Sequence, residues 1–531
     1  MNNESNPKVS IVVATYNSNH IYLRQALNSV FNQTYKNIEL IVVDDASIDK
    51  SFYSVINTPK ISKIIKLEKN SGTHYAQTVG TEAASGDFVG YLDHDDLLDS
   101  RCIETCINYF KKYPYYGMVY TDHLLLDNNN VPVAPTFKED FNDDLLLHSM
   151  YILHFKLMRR AALKEFLPLK YHGAQDYDLA LRFSEKYKIG HVRKLLYSWR
   201  KAETSTATIE INKSIISNNY QAVKDALQRR NINADIKQDG MPTHWHIDRK
   251  LETTDPVNII IVTKNNVQML KSCVESIETN TLYPYQLTIV DTGSDDINAI
   301  NYLNMLKNKH TILYDKYHFS KTNNNAAKVS KCKYICFMNN DVIVKRGWLI
   351  EMMKQIQRSD VGIVGAKLIY PQKYTIQHAG VALGYCGLAG HLFEGIDYRH
   401  SIVNKIKEMS AVTGACLLIK KDVFDKIGGF DEKYSTEFQD VDLCVACREA
   451  GYKVIYTPYA EAFHHCGATR GIATNDEMNH DRPYFANKWK KILFTRFDMN
   501  LTANLISNDH IQHIKNWLDL YDANLKRGFY A

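Results

Sequence analysis

Apolar runs that end in polar residues recur along the chain, and their spacing predicts its secondary structure. Residues 9–14 (VSIVVA) and 38–43 (IELIVV) are two such runs. Between them, apolar residues repeat at helical spacing across residues 20–32. Continuous apolar runs are typical of strands buried on both faces, and the order strand, helix, strand is typical of a parallel sheet. The pattern therefore predicts a βαβ unit in an α/β fold.

Polar side chains follow each predicted strand at its carboxyl end. Those that follow the first two strands are Thr15, Tyr16, Asn17, Asp44 and Asp45. A third strand, at residues 88–92, runs into the acidic sequence DHDD at residues 93–96. In open α/β sheets, ligands bind beyond the carboxyl ends of the strands. We therefore expect these side chains to line one crevice.

The acidic residues at 93–96 are candidate metal ligands. Several carboxylates at one strand end repel one another unless they share a cation. Oxygen ligands favour Mg²⁺ or Mn²⁺ over softer metals. A solvated acidic turn is the simpler interpretation, and it is the recurrence of the pattern later in the chain that favours a cation.

The pattern of strands and polar ends occurs a second time. The paired landmarks, which are 248, 247 and 246 residues apart, are Thr15 and Thr263, Asp44 and Asp291, and Asp95 and Asp341. A long-period repeat of this kind indicates two copies of one domain. We place the first domain at residues 1–245 and the second at 246–495, with a turn-rich connection at 231–255. Residues 496–531 are predicted to form a mainly helical C-terminal tail.

The sequence QDxDL is shared by the two copies. It spans residues 175–179 in the first and 439–443 in the second, where apolar spacing predicts the start of a helix. The helix dipole favours an ionised carboxylate in the first turn, either as a simple stabilising charge or as a general base. The second copy has 18 additional residues before this motif, near residues 370–409, and we interpret them as an enlarged acceptor-side loop.

Composition narrows the functional class. A net charge of +5 over 531 residues gives no case for nucleic-acid binding. No apolar run approaches the roughly 18 residues that a membrane span needs. The ten cysteines are scattered, without the spacing of a disulfide framework, and the N-terminal residues lack a signal-peptide pattern. We therefore expect free thiols and a cytoplasmic protein.

Taken together, the motifs resemble the inverting glycosyltransferases of family 2, which have the GT-A fold. The matching segments are VVATYN, VVDDAS, YLDHDD and QDYDLALR in the first copy and IIVTKN, VDTGS, FMNND and QDVDLCVACREAGYKVIYTP in the second. The second copy is similar to enzymes of bacterial O-antigen and capsule synthesis. The resemblance implies two tandem Rossmann-like GT-A domains, each using a UDP- or dTDP-linked sugar.

The resemblance also implies roles for individual residues. The bases that deprotonate the acceptor hydroxyl would be Asp176 and Asp440. The ligands of a Mn²⁺ or Mg²⁺ ion on the donor diphosphate would be Asp93, Asp95, Asp341 and His464. The residues implied in binding the nucleotide sugar are Thr15, Tyr16, Asn17, Asp44, Asp45, Asp93 and Arg200 in the first copy, and Thr263, Asp291, Lys321 and Asn340 in the second.

The sequence departs from the family pattern at three places. Asn339 replaces the first acidic ligand of the second copy, and a glutamine precedes each base. In the first copy we align Ser198 with His464, which leaves the metal to Asp93 and Asp95, with Arg200 balancing the diphosphate charge.

The implied function is a bifunctional, inverting, metal-dependent glycosyltransferase that builds a bacterial surface polysaccharide. In the alternative, one domain is catalytic and the other is a non-catalytic nucleotide- or glycan-binding module. Acceptors of this class are often lipid-linked, so the aromatic and basic run at residues 484–497 has two interpretations. Core packing is the default, and a peripheral contact with the cytoplasmic face of the inner membrane is the alternative.

Overall fold

The chain folds as two units, and the division falls between Ile247 and Asp248. The structure is a computed structural model that describes residues 6–200, 213–383, 389–465, 475–490 and 492. We call the described residues before the division unit 1 and the described residues after it unit 2. The helical tail predicted at residues 496–531 lies outside the described residues.

Unit 1 contains the first ten strands, the beginning of an eleventh strand, which crosses the division, and eight helices. The strands are β1 (Val9–Thr15), β2 (Ile38–Asp44), β3 (Lys63–Lys66), β4 (Phe88–Tyr91), β5 (Leu97–Leu98), β6 (Tyr116–Leu126), β7 (Pro132–Thr136), β8 (Lys156–Arg159), β9 (Lys188–Arg200), β10 (Ala234–Gln238) and β11 (Trp245–Arg249). The helices are α1 (His20–Phe31), α2 (Tyr53–Ile56), α3 (Thr73–Ala83), α4 (Cys102–Lys112), α5 (Asp143–His148), α6 (Arg160–Lys164), α7 (Gln175–Ser184) and α8 (Lys213–Arg229).

Nine of these strands form one sheet in the order β3-β2-β1-β4-β8-β6-β9-β5, with β7 paired to β6. Strands β1 to β4 are parallel neighbours, as the βαβ pattern predicts. The β1–β2 register sets Thr15 beside Asp44, so the polar strand ends do meet at one edge of the sheet. Strands β10 and β11 form a small separate sheet in the segment that we expected to be turn-rich.

Unit 2 contains twelve strands and seven helices. The strands are β12 (Val257–Thr263), β13 (Tyr285–Asp291), β14 (Thr311–Tyr314), β15 (Tyr334–Asn339), β16 (Val342–Val344), β17 (Val361–Tyr370), β18 (Thr375–His378), β19 (Val381–Leu383), β20 (Ala389–His391), β21 (Lys407–Glu408), β22 (Cys416–Lys420) and β23 (Lys453–His464). The helices are α9 (Val267–Asn280), α10 (Ile297–Leu306), α11 (Phe319–Val329), α12 (Trp348–Ile356), α13 (Lys421–Ile427), α14 (Gln439–Glu449) and α15 (Asn475–Lys488), and a 3₁₀ helix spans Ser401–Val403.

The main sheet of unit 2 repeats the strand order of unit 1. Its order is β14-β13-β12-β15-β22-β17-β23-β16, and the β12–β13 register sets Thr263 beside Asp291. The predicted duplication is therefore present at the level of individual strand pairs. Strand β18 pairs with β17 as β7 pairs with β6, so the additional residues of the second copy fall after β18, in the segment that forms β19 to β21.

Helices cover both faces of each main sheet, which makes each unit a three-layer α/β/α structure. In unit 1, Ile11 and Val13 pack in a cluster with α1 and α4, whereas Val12 packs with α3, α7 and α8. In unit 2, Ile259 packs with α9 and α12, and Ile260 packs with α11, α13 and α14. This alternation explains why the central strands have continuous apolar sequences.

Two expectations from composition agree with the described residues. The eight cysteines among them are buried free thiols. In the same part of the chain, no helix is long and apolar enough to cross a membrane.

Candidate active sites

An asparagine joins the loops that follow the first two strands of each unit. The Oδ1 atom of Asn17 accepts hydrogen bonds from the amides of residues 48 and 49, at 2.8 and 3.2 Å. The Oδ1 atom of Asn265 accepts from the amides of residues 295 and 296, both at 3.0 Å. Both asparagines have positive φ, 46° and 52°, which asparagine tolerates better than most residues. Asn17 was predicted to contact the nucleotide. Its side chain holds the loop that follows β2.

The aspartate at the end of the second strand closes the next turn in each unit. Asp44 Oδ1 accepts from the amide of Ser47 at 2.9 Å, and its Oδ2 accepts from the Tyr53 hydroxyl. Burial alone would raise the pKa of Asp44, but these hydrogen bonds outweigh it and the pKa is lowered. In unit 2, Asp291 Oδ1 accepts from the amide and the hydroxyl of Ser294, at 3.0 and 2.7 Å.

Asp45 holds the segment that leads into α3. Its two carboxylate oxygens accept from the amides of Ser71 and Gly72, both at 2.8 Å. Thr15 is buried at the end of β1, with Oγ1 2.6 Å from the hydroxyl of Ser18. The structure thus places both predicted nucleotide ligands at the expected edge, where they also organise the loops.

The other predicted nucleotide ligands differ in exposure. Tyr16 is 41% exposed, so its ring is open to a ligand. Lys321 is exposed in the first turn of α11. Thr263 and Asn340 are buried, and the Asn340 amide donates to Thr263 Oγ1 at 3.1 Å. At the position of Asp45, unit 2 has Thr292, whose hydroxyl donates to the carbonyl oxygen of Thr263 at 3.0 Å.

The acidic corner of unit 1 lies directly after β4 and brings the predicted metal ligands near the predicted base. Burial raises the pKa of Asp93 to about 7, and the charges of Asp95 and Asp176 act in the same direction. Three carboxylates thus interact at one corner. Such a group favours a shared cation, because each additional negative charge makes the others harder to ionise.

Arg200 and Asp96 brace this corner from inside the protein. Asp96 accepts from the Tyr197 hydroxyl at 2.5 Å and from the Arg200 amide at 2.8 Å. The Arg200 Nε atom donates to the carbonyl oxygen of Asp95 at 2.8 Å, and its other two nitrogens donate to side-chain amides. All three guanidinium nitrogens of this buried residue therefore have protein partners, and its contact with a diphosphate stays a prediction.

Asp176 begins α7 and pairs with a lysine that the sequence analysis missed. Its Oδ1 atom lies 3.0 Å from Nζ of Lys156, a buried residue at the start of β8. Burial would raise the pKa of Asp176, but the charge of Lys156, the interaction with His154 and the hydrogen bond from Lys156 together outweigh burial, and the pKa is lowered. No motif marks this lysine in the sequence, where it begins the short strand KLMR.

A second missed residue, His154, lies at the same corner. Its Nε2 atom is 3.5 Å from Oδ2 of Asp93, and its ring stacks on Tyr197 with centroids 5.0 Å apart. Burial, and then the charge of Lys156, lower the pKa of His154 to about 3, so the ring is neutral near pH 7. No motif marks this histidine in the sequence.

The strand registers correct the alignment of Ser198 with His464. In unit 2, His464 pairs with Val342, the residue after Asp341. In unit 1, Leu97 pairs with Ser198, so the residue after Asp95 is opposite Trp199. β-bulges interrupt the pairing of β9 with β6, so the match is found from the strand register and not from the sequence around Ser198.

In unit 2 the two predicted metal ligands lie together. The Nε2 atom of His464 is 3.2 Å from Oδ1 of Asp341. The Nδ1 atom of His464 is 3.2 Å from the side-chain oxygen of Gln377, which requires the proton to be on Nδ1. In the neutral ring, Nε2 carries the lone pair and lies 3.5 Å from the side-chain nitrogen of Asn339. It also faces Oδ1 of Asp341, a buried carboxylate oxygen for which the described residues provide no hydrogen-bond donor. A lone pair facing a carboxylate, with the other ring nitrogen bonded to an amide oxygen, is the arrangement of a metal-binding histidine.

The predicted base of unit 2 is held by backbone amides. Asp440 Oδ2 accepts from the Gly414 amide at 2.7 Å, and Oδ1 accepts from the Val441 amide at 2.8 Å. The second acidic residue of the motif, Asp442, accepts from Tyr434, Lys488 and Trp489 at 2.9, 2.9 and 2.7 Å. Asp442 thus anchors helix α14 to α15 and the residues after it, and Asp440 is the carboxylate left at the corner.

A histidine pair in the enlarged segment of unit 2 was also missed. The Nδ1 atoms of His378 and His391 are 2.9 Å apart. Nε2 of His378 accepts from the amides of Gly380 and Thr413, at 3.3 and 3.4 Å, so the proton on Nδ1 is donated to His391. Thr413 precedes Gly414, the glycine that binds the base, so these hydrogen bonds connect strand β18 with the base of this unit.

Both units match one known protein family. The family model of glycosyl transferase family 2 matches residues 10–167 and 258–428, which is more than half of the chain. The chain belongs to glycosyl transferase family 2. In both units the family 2 match begins in the first strand and ends before the helix that carries the predicted base.

Two relatives match most of the length of this chain. An uncharacterised protein of Sinorhizobium fredii, y4gI, is 32% identical over 97% of this chain and 59% of its own length. The O-antigen biosynthesis protein RfbC of Myxococcus xanthus is 31% identical over 90% of this chain and 39% of its own length. The chain therefore spans less than two thirds of either relative. A solved structure of S. aureus TarS with UDP-GlcNAc is 22% identical over 41% of this chain and 66% of its own, with a TM-score of 0.35.

Proposed function

We propose that this family 2 protein is a bifunctional glycosyltransferase that transfers sugars from nucleotide-diphosphate donors onto a growing bacterial surface polysaccharide. The O-antigen relative supports the polysaccharide, and membership of glycosyl transferase family 2 supports sugar transfer. The proposal assigns one transfer reaction to each unit.

The observation that carries the proposal is that each unit has a carboxylate at a helix start beside an acidic strand end. In unit 1 the charge of Asp176 contributes to the raised pKa of Asp93, so the two carboxylates are near each other. In unit 2 Asp440 binds the Gly414 amide, and the next residue, Ala415, accepts from the amide of Asn339 at 3.0 Å. A protein that only bound sugars or nucleotides would need no base at this place.

The chain's own residues supply the proton transfer. Asp176 and Asp440 would accept the proton of the acceptor hydroxyl as it attacks, which typically accelerates such a step by about 10²- to 10⁴-fold. The amide of Gly414 and the ammonium of Lys156 fix the orientation of these carboxylates. A single base on one side and the leaving nucleotide on the other gives one in-line displacement, so we infer inversion at the anomeric carbon.

The residues also fit a divalent cation, with Mn²⁺ or Mg²⁺ as the proposed cofactor. In unit 2 the donor set is the free buried oxygen of Asp341 and the lone pair of His464, and in unit 1 it includes Asp93 and Asp95. When bound there, the ion would offset the negative charge that develops on the leaving diphosphate.

A second possibility is that only unit 2 is catalytic and unit 1 is a nucleotide- or glycan-binding module. The Lys156–Asp176 ion pair favours this alternative, since a carboxylate with a lowered pKa is a weaker base. We propose that the acceptor is a glycan and that the protein is cytoplasmic. If the glycan is lipid-linked, the protein would contact the cytoplasmic face of the inner membrane peripherally.

The proposal is tested by incubating the chain with a panel of nucleotide sugars and acceptor glycans and measuring nucleoside diphosphate release. We expect release that requires a donor, an acceptor and Mn²⁺ or Mg²⁺, and that stops in EDTA. Full activity in EDTA would contradict the metal assignment. Donor binding without release in any combination would leave a binding protein.

A further inference from the structure

The metal corner has two pairs of facing positions in each unit. An aspartate–histidine pair occupies one of them in unit 1 and the other in unit 2. The first pair in unit 1 is Asp93 and His154, whose Oδ2 and Nε2 atoms are 3.5 Å apart. The β4–β8 and β15–β22 registers, continued past the strand ends, set Asn339 and Ala415 at these positions in unit 2. Asn339 and Ala415 are also in contact, through a backbone hydrogen bond of 3.0 Å. The equivalence therefore rests on two registers and on a contact in each unit.

At the second pair of positions, the aspartate and the histidine are in unit 2. In unit 2 it is Asp341 and His464, which are 3.2 Å apart. In unit 1 the same positions hold Asp95 and Trp199. An indole has one N–H donor and no lone pair for a metal, so Trp199 is not an imidazole substitute. Each unit thus has one aspartate–histidine pair, at different positions of the same corner.

Both pairs have the separation that a shared ion requires. Two neighbouring ligands of an octahedral ion, each about 2.1 Å from it, lie about 3 Å from each other. The measured separations, 3.5 and 3.2 Å, are close to this value.

Aromatic packing holds the ring of His154 in place. It stacks on Tyr197, with an interplanar angle of 18°, and meets the ring of Trp199 edge-on at a centroid distance of 5.9 Å. The residue at the position of His464 therefore packs against the histidine that faces Asp93. This support preorganises Nε2 toward the carboxylate.

We propose that His154 is a metal-ligating residue of unit 1 and acts there with Asp93 as His464 acts with Asp341 in unit 2. This inference rests on the proposed metal-dependent function. It explains how unit 1 can hold an ion although its β9 strand supplies no histidine at the corner.

The test uses Mn²⁺ as the probe, with UDP present, on the full chain. Electron spin echo envelope modulation detects the ¹⁴N nucleus of an imidazole bound to Mn²⁺, and it needs no catalytic activity. The variant His464→Ala removes the imidazole of unit 2. We expect the ¹⁴N coupling to persist in this variant. In the double variant His464→Ala/His154→Gln the coupling should disappear, and the Mn²⁺ affinity of the unit 1 site should fall by more than about tenfold.

A matched control is His464→Ala/His123→Gln, because His123 also packs edge-on against Trp199, at 5.5 Å, without facing Asp93. It should keep the ¹⁴N coupling. If His464→Ala binds Mn²⁺ without an imidazole coupling, the inference about His154 is wrong, whereas the metal dependence stands. This outcome is measured without any substitution at His154, so it does not depend on the folding of a His154 variant. If the unsubstituted chain binds no Mn²⁺ with UDP, the proposed metal dependence fails and the inference fails with it.

Discussion

The Nζ atom of Lys156 lies 3.0 Å from Oδ1 of Asp176, so the base of unit 1 is paired with a buried positive charge. The base of unit 2 is held differently, since the Oδ2 atom of Asp440 accepts from the amide of Gly414 at 2.7 Å. One fold therefore presents the same carboxylate in two electrostatic settings. The difference predicts that the pH dependence of unit 1 responds to Lys156.

The first prediction concerns Lys156→Met. Burial raises the pKa of Asp176 and the charge of Lys156 lowers it, so removing that charge leaves burial less opposed and the pKa rises. Because the ionised form acts as the base, the acid limb of the pH profile of unit 1 should move to higher pH. Turnover by unit 2, measured in the same protein with its own donor, is the internal control. An unchanged acid limb would mean that Asp176 is not the base of unit 1.

The second prediction concerns the support of the metal ligand in unit 2. Gln377→Leu removes the oxygen that accepts from Nδ1 of His464 at 3.2 Å, while it keeps a side chain of similar size. Loss of such a partner typically lowers metal affinity by about 10- to 100-fold. Titration with Mn²⁺ should show this loss at one of the two sites. Equal affinity in the variant and the parent would show that His464 does not bind the ion.

The third prediction separates the two acidic residues of the unit 2 motif. Asp440→Asn removes the proton acceptor and should lower turnover of unit 2 by at least about 10²-fold, with little change in donor affinity. Asp442→Asn should instead destabilise the unit by about 1.5–3 kcal/mol, because it weakens hydrogen bonds to a buried charge. Denaturant unfolding and steady-state kinetics measure the two effects. The reverse outcome, with Asp442→Asn inactive but stable, would move the base to Asp442.

The sequence was sufficient for the features that depend on local pattern. Buried parallel strands need apolar side chains on both faces, so β1, β2 and their copies β12 and β13 stand out as continuous apolar runs. The polar residues at their ends meet because parallel neighbours place their carboxyl ends at one edge. Duplication of these runs indicated the architecture, and the resemblance supplied the pairing of Asp341 with His464, which the structure brings to 3.2 Å.

The residues that the sequence did not reveal come from antiparallel strands with non-local pairing. Lys156 and His154 reach the corner because β8 pairs with β4 about 70 residues earlier, and no short motif encodes that register. His378 reaches the base through β18, which pairs with β17 as β7 pairs with β6, and no short motif encodes that pairing either. The alignment of Ser198 failed for a related reason, since the register of β9, which β-bulges interrupt, is not readable from the local sequence.

The central claim is that both units catalyse a transfer, each with its own preference. The units differ at Asp45 and Thr292 on the nucleotide side, and unit 2 alone has the additional residues near its base. Specificity is a difference of affinities built from such contacts, so the two donor preferences should differ.

The most direct measurement is the product profile of Asp176→Asn and Asp440→Asn, each incubated with all combinations of donor sugars and resolved by mass spectrometry. We predict that each variant stops after a different sugar, and that a mixture of the two restores the longer product if the intermediate is released. If Asp176→Asn leaves the product profile unchanged with every donor combination, unit 1 is a non-catalytic module and the bifunctional account is wrong.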